Sequence, residues 1–445
     1  MVRRLLAALA LVTVAMTVGI DPPLGAREGG EVTGEQGAPS YGSTRAQEVA
    51  GRMVALAATP TGLGYWQVAD NGDVYPFGDA RFAGSPGGAA LNRPIVGMAP
   101  SPTGLGYWLA ASDGGIFSYG DAGFHGSTGA MPLNQPIVGM APTPSGRGYW
   151  LVASDGGIFS FGDAGFFGST GGMRLQRPIV GMAPTPSGRG YWLVASDGGI
   201  FSFGDAGFFG SGGAAGIEDA VALAPTVTGA GYWLATATGR VLAFGDAPDP
   251  GLPGGGCRDQ PVVALATRRS GGFWLGSGPF PPATIGSRAH PLDAIAAESA
   301  NIALVLRVRQ GCQPNAVPTR GRLSSPLPGN RTTSSFGTRT HPVFGRSQFH
   351  TGDDLAGGSA ILAPADGTVV QVADRFGYGL TTVVDHGDGV GTVFAHQAAV
   401  DVRPGDRVTR GQQIGTVGRS GTANGNNLHF EVRVHGVPTD PTAWL

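Results

Sequence analysis

The sequence predicts a mainly β protein with three parts: a six-bladed β-propeller-like repeat domain, a short helical linker and a C-terminal β-sheet domain. Three observations support this prediction. Tryptophans recur at nearly constant intervals over the first two thirds of the 445 residues. The 79 glycines and 34 prolines exceed ordinary usage and indicate many tight turns between short strands. A single segment has the apolar spacing of a helix.

The repeat unit is defined by six tryptophans that lie 41 or 42 residues apart. Two copies of the unit, residues 140–169 and 182–211, are identical. Each unit contains four short apolar runs separated by Gly-rich turns, which predicts four antiparallel strands and therefore one propeller blade. A linear β-solenoid is the alternative architecture. The six positions are Trp66, Trp108, Trp150, Trp192, Trp233 and Trp274.

The two ends of the array predict how it closes. The last unit lacks its final segment after Trp274, whereas residues 38–44, before the first unit, match residues 164–170 inside a complete unit. We therefore expect the N-terminal segment to supply the missing strand of the sixth blade, which would hide the exposed edges of an open array.

The aromatic and acidic residues of each unit allow two interpretations. An exposed ring could pack against a sugar, but one Tyr-Trp pair per unit is more typical of blade core. The Asp in each Ser-Asp-Gly-Gly turn could bind calcium, but without further carboxylates nearby it is more typical of a turn former.

Residues 288–326 form the predicted linker, and residues 291–307 in it have Ala-rich, helix-like spacing. The two cysteines, Cys257 and Cys312, are predicted to form a disulfide between the last repeat and this linker. Two buried free thiols are the alternative.

The N-terminus predicts export. Arg3 and Arg4 precede an apolar run over residues 5–20 and a small-residue stretch ending at Ala26, which is the order of a signal peptide spanning residues 1–26. A retained membrane anchor is the alternative, although the run is shorter than the roughly 20 residues that a spanning helix needs. A linker over 27–36 and the repeats over 37–287 follow. The expected location is therefore the cell envelope or the exterior, with no membrane association once the signal is removed.

Composition excludes some classes of protein. Apolar residues make up 41% of the chain and charged residues 13%, which excludes a wholly disordered protein. The net charge of −2 and the absence of a long basic block argue against nucleic acid as a partner.

Three side chains near the C-terminus predict a metal site. His350 and Asp354 lie four residues apart with Gly352 between them, and His429 follows some seventy-five residues later. Two imidazoles and one carboxylate are the three protein ligands of a catalytic zinc, whose fourth position stays open. His396 lies between the two pieces and is predicted to act beside the metal.

Residues 327–445 resemble the lysostaphin/LytM-type zinc endopeptidases, which cut the peptide cross-links of bacterial peptidoglycan. Besides the His350/Asp354 pair, the resemblance rests on 335–339 (SFGTR), 363–367 (APADG), 385–387 (DHG) and 428–431 (LHFE). It implies a compact β-sheet metallopeptidase domain, zinc held by His350, Asp354 and His429, and His396 as a catalytic histidine. Glu431 is expected either to orient a ligand or to form a surface salt bridge.

One position departs from the family. The family closes on a His-x-His pair, but the first of these positions is Asn427, and an amide cannot exchange a proton near neutral pH. The first interpretation is a secreted zinc endopeptidase acting on peptidoglycan peptide, with Asn427 in a catalytic position and repeats that bind the wall or an envelope protein or glycan. The alternative is a non-catalytic zinc- or wall-binding regulatory module with a degenerate site.

Overall fold

The computed structural model describes residues 27–28, 30–45, 47–251, 260–268, 271–278, 291–310, 323–341 and 344–445. Strands dominate these residues, and the one α-helix among them is α1 (Pro291–Gln310). The prediction of a mainly β protein with a helical segment before a C-terminal sheet domain is confirmed. The predicted signal peptide, Cys257 and Cys312 lie outside the described residues, so those predictions stand as predictions.

The repeats form six antiparallel sheets of three strands; five come from one unit each, and the sixth takes its third strand from the N-terminal segment. The N-terminal segment holds β1 (Arg27–Glu28), β2 (Val32–Glu35) and β3 (Glu48–Val49). The units follow as β4 (Met53–Ala58), β5 (Gly64–Ala69) and β6 (Val74–Gly78); β7 (Ile95–Pro100), β8 (Tyr107–Ala111) and β9 (Ile116–Tyr119); β10 (Ile137–Pro142), β11 (Gly148–Ala153) and β12 (Ile158–Gly162); β13 (Ile179–Pro184), β14 (Gly190–Ala195) and β15 (Ile200–Gly204); β16 (Ala220–Pro225), β17 (Gly231–Thr236) and β18 (Val241–Gly245); and β19 (Val262–Thr267) and β20 (Phe273–Ser277).

The sheets close into a ring. The first strand of each unit neighbours the first strand of the next, and β19 of the sixth unit lies against β4 of the first. Val32 from the N-terminal segment, Leu56 of unit one and Ala264 of unit six share one hydrophobic cluster. A linear solenoid would leave its end units apart, so the ring supports the propeller-like interpretation.

The N-terminal segment completes the sixth sheet. Strand β2 pairs antiparallel with β20, and the segment after it occupies the place predicted from its match to a complete unit. Trp274 Nε1 donates to the Pro39 carbonyl at 2.8 Å, as Trp150 Nε1 donates to the Gly165 carbonyl at 2.6 Å. The ladder strand itself, however, is residues 32–35, which fall within the predicted 27–36 linker.

The prediction of four strands per unit was wrong, since each sheet has three. In the expected fourth strand, a tyrosine of the following unit takes the hydrogen bonds that a ladder would use. The Phe167 amide donates to Tyr191 Oη at 3.1 Å, and Tyr191 Oη donates to the Gly168 carbonyl at 2.7 Å. Gly168 has φ of 133°, which a side chain rarely adopts. This clasp links adjacent units without a strand.

The burial of the tryptophans and the hydrogen bonding of the turns support a structural role for both. The six tryptophans are at most 5% exposed, so they are core and not a sugar platform. Asp155 accepts a hydrogen bond from the Gly157 amide at 2.9 Å within its own turn, as expected of a turn former.

The C-terminal domain is built on an eight-stranded antiparallel sheet in the order β21-β24-β32-β28-β27-β26-β30, with β33 on β32. A hairpin, β22-β23, and a three-stranded sheet, β25-β31-β29, flank it. The strands are β21 (Arg331–Ser334), β22 (Gly337–Thr340), β23 (Ser347–His350), β24 (Asp353–Ala356), β25 (Ala360–Leu362), β26 (Gly367–Arg375), β27 (Gly379–Asp385), β28 (Val390–Ala395), β29 (Gln397–Val400), β30 (Arg407–Val408), β31 (Gln413–Val417), β32 (Leu428–Val434) and β33 (Val437–Thr439).

Strand β32 separates two environments. Leu428, Phe430 and Val432 point into the main core, whereas the alternate residues, beginning with His429, point to the opposite face. Helix α1 covers part of that second face, because its Ile302 and Leu306 pack against Val393 and neighbouring residues. The helix is thus packed onto the sheet, although its place in the sequence predicted a linker.

No helix among the described residues is both long enough and apolar enough to cross a membrane.

Candidate metal centre

Three buried side chains meet beside the central sheet: His350, Asp354 and His429. Asp354 Oδ1 lies 3.2 Å from His350 Nε2 and 3.0 Å from His429 Nδ1, and the two nitrogens lie 3.0 Å apart. All three residues are at most 7% exposed. The structure brings together the three residues that the sequence analysis selected as ligands.

The sheet sets this convergence. Asp354 on β24 is the direct cross-strand partner of His429 on β32, so their side chains start from neighbouring positions on one face. His350 is the last residue of β23, and the chain then passes through Gly352 into β24. A side chain at Gly352 would place its Cβ 2.2 Å from the Phe430 carbonyl oxygen, so only glycine allows this close approach.

Hydrogen bonds away from the cluster fix the tautomer of each imidazole. His350 Nδ1 donates to the Ser335 carbonyl at 2.9 Å, which leaves Nε2 with a lone pair. His429 Nε2 donates to Glu431 Oε1 at 3.0 Å, which leaves Nδ1 with a lone pair. Two nitrogen lone pairs and one carboxylate oxygen therefore face the same point, an arrangement suited to a cation.

The electrostatics of the metal-free cluster follow from burial and pairing. Burial opposes ionisation of Asp354, but its close contacts with the His350 and His429 imidazoles outweigh burial and hold the pKa of Asp354 far below the usual range. Burial also disfavours the charged form of His429, yet its bonds to Asp354 and Glu431 raise its pKa to about 9. A metal ion would take the place of that proton.

A buried ion pair, Glu431 and Arg433, lies next to His429 on the side away from the cluster. Glu431 is fully buried and accepts hydrogen bonds from Tyr378 Oη at 2.7 Å, from Thr351 Oγ1 and from Arg433 Nε at 2.6 Å. Burial raises the pKa of Glu431, but the charge of Arg433 and the His429 bond outweigh it and keep the carboxylate ionised. Of the two alternatives for Glu431, the structure shows contact with a cluster residue and excludes a surface salt bridge.

The other oxygen of Asp354 has its own partner. Arg339 Nη1 lies 3.1 Å from Asp354 Oδ2 and donates to Ser334 Oγ at 2.6 Å. This cation offsets part of the negative charge on Asp354 and orients Oδ1 towards the two histidines.

His396 lies beside the cluster, with its ring centroid 5.9 Å from that of His429. Its Nδ1 donates to the Ser420 carbonyl at 2.9 Å, so Nε2 carries the lone pair. Burial and the nearby His429 lower the pKa of His396 to about 4, and the ring is therefore neutral near pH 7. Its backbone has φ of 62°, an unusual conformation that its hydrogen bonds maintain.

Asn427 directly precedes β32, two residues before His429. Its backbone N–H donates to the Gly418 carbonyl at 3.1 Å, and the residue is 8% exposed. No donor among the described residues reaches the buried Oδ1 of Asn427. Asn427 thus lies two residues before His429, a residue of the cluster, and its Oδ1 acceptor is unpaired.

His350, His396 and His429 line an open cleft. Several lining residues were not selected from the sequence, among them Ile295 of helix α1, Thr351 and Tyr378. Strand alternation from Glu431 could have identified Arg433, which shares its face. Nothing in the sequence around Tyr378 marks it, because it reaches the site across the sheet from another strand connection.

The donor set fits zinc. At the usual Zn–N and Zn–O distances of about 2.0 to 2.2 Å, the corners of a tetrahedron lie about 3.3 to 3.6 Å apart. The three candidate ligand atoms lie 3.0 to 3.2 Å apart, so a small outward shift accommodates the ion. Each of the three residues offers one potential ligand atom, and these atoms all lie within 4.8 Å of one another.

Comparison with known proteins agrees with this geometry. Residues 348–441 match the family described as Peptidase family M23. Over 120 residues the chain is 38% identical to the DD-carboxypeptidase/endopeptidase Mpg of Neisseria meningitidis serogroup B, which covers 26% of this chain and 28% of that protein. Over 107 residues it is 38% identical to the murein hydrolase activator NlpD of Escherichia coli, covering 23% and 28%.

Among solved structures, a zinc-containing peptidase from Vibrio cholerae is 33% identical over 27% of this chain and 39% of that chain, with a TM-score of 0.26. The chain spans less than a third of the length of the two curated relatives. The family match is confined to residues 348–441, and within it lie all three residues of the cluster. The chain therefore carries a Peptidase family M23 domain at its C-terminus, over residues 348–441, behind a ring of six three-stranded repeats.

Proposed function

We propose that the protein is an exported zinc endopeptidase that cleaves peptide cross-links of bacterial peptidoglycan. The observation that carries the proposal is the cluster of His350, Asp354 and His429, whose lone pairs face one point. One similar protein is named as a murein hydrolase activator, and murein is peptidoglycan, which supports the substrate class.

The residues of the chain divide the work. His350 Nε2, Asp354 Oδ1 and His429 Nδ1 would hold the ion, and Glu431 keeps His429 in the required tautomer. Zinc at this point supplies Lewis acidity towards a carbonyl and towards water. His396 presents a neutral imidazole whose Nε2 can accept a proton or donate one later, while Ser420 holds the ring.

The repeat ring would hold the enzyme at the wall or on an envelope partner, and the predicted signal peptide would export it. The six tryptophans are core, so this binding would use other side chains on the exposed surface of the repeats. A pull-down of the zinc-loaded protein with insoluble wall material tests the role. A matched variant that lacks the repeats should bind less.

A second candidate is a regulatory module without turnover. Asn427 favours it, because its position offers no imidazole and its Oδ1 is unpaired. The similarity to an activator of murein hydrolases gives it further support. Such a module would keep zinc and the cleft but would not release amino groups from peptidoglycan.

The test is incubation of the zinc-loaded full chain with purified peptidoglycan, followed by measurement of new amino groups. His429→Ala is the control for metal binding, and it should lose both zinc and cleavage. Asn427→His should raise cleavage by about 10²- to 10⁴-fold, the usual contribution of a positioned proton-transfer group, at unchanged zinc stoichiometry. Zinc binding without cleavage by the wild type and by Asn427→His would favour the regulatory module.

A further inference from the structure

Helix α1 lies outside the matched family region and carries a buried carboxylate, Glu298, that bonds two residues lining the cleft, Gly377 and Tyr378. We propose that Glu298 is a positioning residue, which fixes the Gly377–Tyr378 segment and through it His396 and Glu431. The inference rests on the proposed function for its kinetic consequence, but its structural consequence can be measured without turnover.

Glu298 binds backbone amides that need an acceptor. It is 3% exposed, and its carboxylate accepts from the Gly377 amide at 3.0 and 3.2 Å and from the Tyr378 amide at 3.2 Å. A Cβ at Gly377 would lie 2.3 Å from Ile295 Cγ1, so the segment passes against the helix where only glycine fits. Backbone donors inside a protein stabilise a buried carboxylate strongly.

The pinned segment holds both anchors of His396. The His396 amide donates to the Tyr378 carbonyl at 2.8 Å. The Gly377 carbonyl accepts from the Thr422 amide at 3.0 Å and from Thr422 Oγ1 at 3.1 Å, which fixes the loop that carries Ser420. The Ser420 carbonyl in turn accepts from His396 Nδ1. A shift of the segment would therefore release a histidine that already has φ of 62°.

The same segment reaches the metal cluster through a second route. Tyr378 Oη donates to Glu431 Oε1 at 2.7 Å, the oxygen that also accepts from His429 Nε2. Tyr378 is 4% exposed and contacts the His429 ring at 5.4 Å between centroids. Glu298 thus acts on His396 and on His429 through one short stretch of chain.

Docking of the helix does not require this carboxylate. Ile302, Val305 and Leu306 already bury an apolar face against the sheet. A buried carboxylate costs free energy unless it is well hydrogen-bonded. Because Glu298 bonds the Gly377 and Tyr378 amides, we infer that its role is to fix this segment and not to dock the helix.

The test compares two variants on one helix. Glu298→Ala removes the acceptor for Gly377 and Tyr378. Asn301→Ala is the matched control, because Asn301 is 7% exposed on the same helix and bonds Arg375, which does not line the cleft. The readout is the imidazole nitrogen spectrum of His396 in the histidine-labelled, zinc-loaded full chain, assigned with His396→Gln. Zinc content and kcat are measured on the same samples.

In the wild type and in Asn301→Ala, His396 should show one tautomer with the proton on Nδ1. In Glu298→Ala the His396 signals should broaden or show mixed tautomers, and kcat should fall about 10- to 100-fold at equal zinc content. Glu298→Gln preserves the size but turns an amide NH₂ towards the Gly377 amide, and it should give a smaller change of the same kind. His396 signals in both Glu298 variants that match the control would overturn the proposal, and this holds even if the wild type cleaves nothing.

Discussion

Replacing Arg433 with Met tests the buried charge behind the metal cluster. Arg433 is fully buried, and its guanidinium donates to Glu431 Oε2 at 2.6 Å, to the Ser299 carbonyl and Oγ at 2.8 Å each, and to the Gly436 carbonyl at 3.3 Å. Met fills much of the volume but leaves the Glu431 carboxylate without its cation. Removal of one partner from a buried ion pair costs about 3 to 5 kcal/mol.

The double variant Glu431→Gln/Arg433→Met separates the charge from the packing. Gln is neutral and its Oε1 can still accept from His429 Nε2, so the double variant should be more stable than Arg433→Met alone. In the single variant the pKa of Glu431 should rise, the bond to His429 should weaken, and zinc affinity should fall about 10- to 100-fold.

Hydrogen exchange of peptides from β28 and β32 is the assay, because a chain with a repeat ring and a second domain does not unfold in one step. The metal-free protein is used, since bound zinc would add stability by mass action. Arg433→Met should lower the free energy of opening of β32 by about 3 to 5 kcal/mol. A loss below about 1 kcal/mol, or equal losses in the single and double variants, would refute the account of a compensated buried charge.

Three further predictions concern pH, closure of the ring and the cysteines. The raised pKa of His429, about 9, means that the metal-free site holds a proton at pH 7, so apparent zinc affinity should rise about tenfold per pH unit up to pH 9 in chelator competition; a flat profile would contradict it. The same proton stabilises the metal-free fold below the unfolded pKa of about 6.5 and is lost as pH rises through 9. Deletion of residues 30–45 removes β2 and the partner of Trp274 Nε1, and it should lower the melting temperature or cause aggregation, whereas an unchanged melt would exclude closure by this segment. Mass spectrometry of the exported chain should find Cys257 and Cys312 joined, in a loop of about 55 residues worth roughly 4 kcal/mol, and two free thiols would remove the disulfide.

Local pattern predicted the repeat ring well, apart from its strand count. The match of residues 38–44 to a complete unit located the closing segment because similar sequence makes similar contacts, as the hydrogen bonds of Trp274 and Trp150 show. The prediction of a fourth strand was wrong because a tyrosine hydroxyl from the next unit takes the backbone hydrogen bonds that strand pairing would have used. No pattern within one unit reveals such a bond.

The sequence by itself determined which residues could hold a metal, because imidazole and carboxylate groups are metal ligands and the order of the surrounding motifs indicates that His350, Asp354 and His429 act together. It also determined the ring, since each unit encodes its own short strands and turns. Only the tertiary structure decided how the site is supported. Tyr378 and helix α1 reach it through contacts between residues distant in sequence, whose hydrogen bonds exist only after the sheet and the helix pack together.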